Sequence, residues 1–121
     1  MASEAQSDML GLLPPGLAEL AVDLSLIAGS REYSFPLAVA PAVLETLLGN
    51  GVTVLGGDVW DFENDEYYPS GESWYIDSLK GESAMAREAR VKTTASEFFA
   101  RYATAANKRV TFVVKSKSAT S

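Results

Sequence analysis

Apolar residues recur along this chain at two spacings, and the spacing changes from segment to segment. After Pro14-Pro15-Gly16, the residues Leu17, Leu20, Ala21 and Leu24 fall at i, i+3, i+4 and i+7. That period favours a short amphipathic helix, with a buried strand over Ala21 to Ile27 as the alternative. Gly29-Ser30 reads as a turn, and Arg31 to Phe35 as a short extended piece limited by Pro36. Pro41 suits the first turn of a helix, where its missing N–H costs nothing. Leu44, Leu47 and Leu48 then line one face, and Gly49-Asn50-Gly51 stops the helix with glycine available for a left-handed cap. Val52 to Leu55 is apolar with β-branched side chains and reads as a buried strand. Asp58-Val59-Trp60-Asp61-Phe62 continues it with an imperfect two-residue period.

Glu63 to Gly71 is polar and aromatic and contains Asn64-Asp65, Pro69 and Gly71, so it reads as a loop. Ser73 to Leu79 reads as a second strand, which makes the whole a hairpin. Ser83 is a suitable N-cap for the longest helix, expected over Ala84 to Ala106. Val91, Ala95, Phe98 and Tyr102 mark its buried face, and Glu88 and Lys92 are i,i+4 partners. Asn107 ends it, and Val110 to Val114 is strongly β-branched. Residues 1–9 and 116–121 read as unstructured tails of a single domain spanning 1–121. The order of elements implies an α+β fold: a small, mostly antiparallel sheet covered on one face by helices, chiefly the long one through Phe98, Phe99 and Tyr102.

Charge changes this picture from a fold to a surface. Residues 1–82 carry fourteen acids against Arg31 and Lys80, whereas residues 83–121 carry Glu88 and Glu97 against eight bases. Asp58, Asp61, Glu63, Asp65, Glu66, Glu72, Asp77 and Glu82 are the densest run, and Trp60, Phe62, Tyr67, Tyr68, Trp74 and Tyr75 are interleaved with them. An acidic stretch rich in Trp and Tyr suggests a surface that captures something basic. A solvated loop, or one neutralised within the chain by the basic long helix, is the plainer reading.

The residues present exclude several chemistries. The chain has no Cys and no His. Cys-His and Ser-His nucleophile arrangements and zinc sites of the usual kind are therefore excluded, and no cofactor is expected. The carboxylates from Asp58 to Glu66 lack a calcium-loop register, so no metal is assigned. Gly56-Gly57-Asp58 is not a phosphate loop, because an acid follows at once, and a strand bulge explains the glycines. Acidity argues against a nucleic-acid partner. The start MASEAQSDML lacks a secretory pattern, and the uncharged stretch Tyr33 to Leu44 is too short to span a bilayer, so a cytoplasmic, non-membrane protein is expected.

Gly51-Val52-Thr53-Val54-Leu55-Gly56-Gly57-Asp58-Val59-Trp60, followed by Ser73-Trp74-Tyr75 and a long helix with an aromatic end, resembles the immunity protein 40 family of bacterial polymorphic toxin systems. The resemblance covers roughly residues 35 to 115, with Gly56-Gly57-Asp58-Val59 as its sharpest motif and Trp74 supporting it. It implies a non-enzymatic antitoxin that binds the toxin domain of a cognate effector. Many toxins of such systems are basic nucleases, whose phosphate-binding cleft an acidic inhibitor would fit. Trp60, Asp61, Glu63, Asp65, Glu66, Tyr67, Tyr68 and Glu72 are the candidate toxin-binding residues, with the acids steering and the aromatics anchoring. Gly56, Gly57, Asp58 and Trp74 are the motif positions, with a structural role. Two rivals stand beside this reading: a small carboxylate-dependent, metal-binding hydrolase, and an acidic structural or regulatory subunit that forms a homodimer through the basic helix of a second copy.

Overall fold

The computed structural model describes residues 9–24, 32–102 and 107–115. Five strands form one antiparallel sheet: β1 (Val22–Asp23), β2 (Tyr33–Pro36), β3 (Val54–Glu63), β4 (Glu66–Tyr75) and β5 (Lys108–Val114), in the order β1-β2-β5-β3-β4. Among the described residues, α1 (Pro15–Ala18), α2 (Ala40–Gly49) and α3 (Ala84–Ala100) accompany them. Residues 9–12 are also helical, and a 3-10 turn over Leu37–Val39 leads into α2. The fold is α+β.

The helix boundaries follow from local chemistry. Ser83 caps α3, its Oγ accepting the Ala86 N–H at 3.1 Å. At the end of α2, Gly51 takes a φ of +78°, and the N–H groups of Gly51 and Val52 donate to the carbonyls of Leu48 and Leu47, both at 3.0 Å. That is a Schellman closure, which glycine makes without a Cβ penalty. The buried sides of α2 (Val43, Leu44, Leu47, Leu48) and α3 (Val91, Ala95, Phe98, Phe99) join Val54, Val59, Trp74, Val110 and Phe112 of the sheet in a single core. Trp74 is its hub. The indole stands 6.1 Å from Phe99 and 6.4 Å from both Phe98 and Phe112, with edge-on geometry to Phe99 and Phe112.

Five expectations change. The helix expected over Leu17 to Leu24 stops at Ala18, and Val22–Asp23 pairs with β2 instead. Ladder pairing outweighs the helical period there, and the remainder of the alternative strand to Ile27 lies outside the described residues. The loop expected from Glu63 to Gly71 is a two-residue turn at Asn64-Asp65, with φ values of 53° and 62°, and β4 begins at Glu66. Asn and Asp tolerate the left-handed region that a tight hairpin turn requires. Pro69 is accommodated because β4 is an edge strand, which has a side with no ladder partner. Beyond Tyr75 the expected second strand gives way to loop. The helix α3 ends at Ala100, Arg101 and Tyr102 form a turn, and residues 103–106 of the expected helix lie outside the described residues. Met9, expected in a tail, is buried in the core.

Candidate functional site

The hairpin β3–β4 carries most of the acidic and aromatic candidates, and the alternation of its strands divides them between two faces. Asp61 lies opposite Tyr68 and Lys108, and Glu63 lies opposite Glu66. These residues continue, past the reach of α3, the face on which Val59 enters the core. Glu72 belongs with them, because its carboxylate accepts a 2.5 Å hydrogen bond from the Tyr102 hydroxyl beyond the end of α3. Asp61, Glu63, Tyr68, Asn107 and Lys108 line a shallow cleft of about 510 Å³ there.

This face is electrostatically lopsided. Lys108 Nζ sits 2.5 Å from Asp61 Oδ1 and 5.8 Å from the centre of the Tyr102 ring. Among the described residues, no Lys or Arg pairs with Glu63, Asp65, Glu66 or Glu72. The Tyr68 hydroxyl donates to Glu66, a bond that holds the phenol above its ordinary pKa. The Tyr102 phenol is raised too, by burial first and then by its bond to Glu72. Both tyrosines therefore stay protonated donors at neutral pH. Tyr68 is 46% exposed, and Asp65 and Glu66 are exposed at the tip of the hairpin.

The opposite face holds Trp60, Phe62, Tyr67 and Pro69, with Arg109 directly across from Trp60. Phe62 and Tyr67 stack at 4.7 Å, and the Arg109 guanidinium lies 5.9 Å from the Tyr67 ring. Arg109 also donates to Ser34 Oγ at 2.8 Å and to the Leu20 carbonyl at 2.8 Å, so it ties β5 to the chain before β1. Burial holds this guanidinium below its ordinary pKa. Trp60 is only 5% exposed. The eight candidates are thus brought together only in part. Asp61, Glu63, Glu66, Tyr68 and Glu72 share one face, Asp65 occupies the turn, and Trp60 and Tyr67 point to the other side.

The glycines of the Gly-Gly-Asp-Val motif serve close packing. A Cβ on Gly57 would stand 2.2 Å from the Thr111 carbonyl oxygen and 2.8 Å from Trp74 Nε1, and one on Gly56 would stand 2.2 Å from the Trp74 carbonyl oxygen. Both positions let neighbouring backbone or the Trp74 indole close on β3. Asp58 is different. It is half-buried on the face away from α2 and α3, opposite Ser73 and Thr111, and burial pushes its carboxyl pKa up.

The charge sorting is partly absorbed within the chain. Arg90 holds Glu82 through two contacts of 2.8 Å and donates to the Asp77 carbonyl, which keeps the Glu82 carboxyl below its ordinary pKa. Arg87 donates to the Val54 carbonyl, and Lys92 lies near Glu45 and Glu88. Sequence reasoning missed Tyr102, Lys108 and Arg109 as parts of these surfaces. Only the register of β5 against β3 shows that Lys108 faces Asp61 and Arg109 faces Trp60.

Among the described residues, no group of three or more acids is placed to hold a metal ion, and no helix is long and apolar enough to cross a membrane. The family model for immunity protein 40 matches residues 23–115. The chain therefore belongs to the immunity protein 40 family, and a toxin-neutralising role with a toxin protein as partner goes with that membership. No curated protein and no solved structure matches it.

Proposed function

We propose that this member of the immunity protein 40 family neutralises its cognate toxin domain by steric and electrostatic blockade, using the acidic face of the β3–β4 hairpin. The observation that carries this reading is the concentration of Asp61, Glu63 and Glu66 around Tyr68 on one face, with Glu72 farther along it at Tyr102, where only Asp61 has a cation partner among the described residues. Unpaired acids around a tyrosine suit a basic partner, and their summed field speeds encounter. Tyr68 supplies an aromatic contact that is already positioned, and its hydroxyl bond to Glu66 limits the freedom lost on docking. The toxin face it fits is cationic, as the phosphate-binding cleft of a nuclease is. In this reading the protein acts in the cytoplasm and binds without catalysing a reaction.

A second copy of the chain is a poorer occupant of this face. Arg87, Arg90, Lys108 and Arg109, half of the eight bases in the basic segment, are engaged inside the molecule, which weakens the attraction that segment could offer another hairpin. The test is co-expression of the chain with a toxin captured on it. Protection of cells by the wild-type chain, lost when Asp65 and Glu66 are both changed to Lys, is the expected result. Equal protection by both chains overturns the hairpin as the interface, and failure of the wild type to protect overturns the neutralising role.

A further inference from the structure

The sheet face turned away from α2 and α3 holds a second cleft, of about 370 Å³, which shares only Glu72 with the acidic candidates of the other face. Asp58, Trp60, Pro69 and Ser73 line it, with Glu32 and Glu72. Its polar groups are poorly satisfied. Asp58 has no hydrogen bond or ion pair among the described residues, although it lies on a half-buried part of the sheet and its carboxyl pKa is raised by that burial. Trp60, 5% exposed, has a buried Nε1 with no hydrogen-bond partner. Thr111, directly across the ladder from Asp58 and 1% exposed, has a buried Oγ1 in the same condition.

Buried polar atoms in folded proteins are almost always paired, so two unmatched buried groups beside a half-buried carboxylate on one face call for a cause. Packing does not supply it. The cross-strand neighbours of Asp58 are Ser73 and Thr111, neither of which bonds it, and Arg109, the cation nearest along β5, is committed to Ser34 and Leu20. A carboxylate in such a setting suits a cation, and the walls of Trp60 and Pro69 suit an aliphatic stem or a guanidinium plane.

We propose that this cleft receives an arginine side chain presented by the protein partner, with Asp58 as its counter-ion and Trp60 and Pro69 as its walls. This deepens the neutralising role proposed above and rests on it. Arginine fits better than lysine because its planar fork can meet a carboxylate with two parallel N–H bonds while its flat face lies against an indole wall. The partner would then be held on both faces of one hairpin: loosely steered by exposed acids on the helix side, and pinned by a single buried ion pair on the other.

The test is a titration of the full chain with N-acetyl-arginine amide, followed through the two tryptophan indole N–H signals in nitrogen-edited NMR spectra. The Trp60→Phe chain assigns them. The expected result is a saturable shift of the Trp60 signal only, with N-acetyl-norleucine amide giving none and Asp58→Asn weakening the effect about tenfold or more. Asp58→Asn is isosteric, and an unchanged Trp74 indole signal confirms that the variant is folded. No saturable shift, or the same shift in Asp58→Asn or with norleucine amide, overturns the proposal. So does full toxin capture by an Asp58→Asn chain that no longer binds the amide. Failure of the wild-type chain to protect cells would remove the neutralising role while leaving the titration's answer about arginine intact.

Discussion

The two faces of the β3–β4 hairpin are built from the same twenty-odd residues and behave oppositely. On the helix side, Val59 and Trp74 enter the core near the base, while Asp61, Glu63 and Glu66 reach solvent near the tip. On the other side the order is reversed: the base carries Asp58, half-buried, and the tip carries Trp60, Phe62 and Tyr67 packed with Arg109. A run that reads in sequence as one acidic-aromatic patch is therefore two surfaces, each with its polar and apolar ends exchanged. An acidic residue among aromatics in sequence is thus no guide to a shared surface until the strand register is known.

The largest effect that would separate the faces is on stability. Trp74→Ala empties the hub between Phe98, Phe99 and Phe112 and should cost about 3–5 kcal/mol in chemical denaturation. Gly57→Ala forces a methyl against the Thr111 carbonyl and the Trp74 indole, and is expected to lose roughly 1–3 kcal/mol. If either change left the midpoint unmoved, the base of the hairpin would not be the packed region described here.

The exposed end should show the opposite profile. Changing Asp65 and Glu66 together to Lys is expected to move stability by no more than about 0.5 kcal/mol per site. The same pair should slow association with a captured toxin about tenfold or more at low salt and flatten its salt dependence. Stopped-flow or biosensor rates at two ionic strengths check this.

Two pH effects are smaller and of opposite sign. Arg90 keeps the folded-state Glu82 carboxyl below its ordinary pKa. Its contribution to stability is thus present above the unfolded-state value and lost as pH falls through the folded one. Glu82→Gln should flatten the acid limb of the melting curve. Asp58 is raised by burial, so its ionised form slightly destabilises the fold at neutral pH and the penalty disappears on acidification. Asp58→Asn should raise the melting temperature a little at pH 7 and leave it unchanged in acid. A fall at pH 7 would mean that Asp58 has a stabilising partner inside the chain.

Much of the frame was legible in the sequence. Ser83, Gly51 and the apolar periods of α2 and α3 are local signals that no distant contact overrides. The hairpin resisted reading for a physical reason. Glu66 to Gly71 holds Pro, Gly and two Tyr with no clean alternation, and becomes strand through pairing with β3, with Phe62 stacked on Tyr67 across it. Register shifts between Val54 and Gly56 and between Asp58 and Trp60 then change which side chains share a face. Asp58 and Trp60 end on the side away from the core cluster, and the acids expected beside Trp60 end on the other.

The most direct test of the central claim is a paired pull-down from native lysate, with the tagged wild-type chain and the Asp65→Lys/Glu66→Lys chain side by side, read by mass spectrometry. One protein bearing a toxin domain is expected with the wild type, lost or sharply reduced with the variant, and no longer toxic to cells that make the wild-type chain. Recovery of that toxin in equal amounts by both chains would contradict that claim.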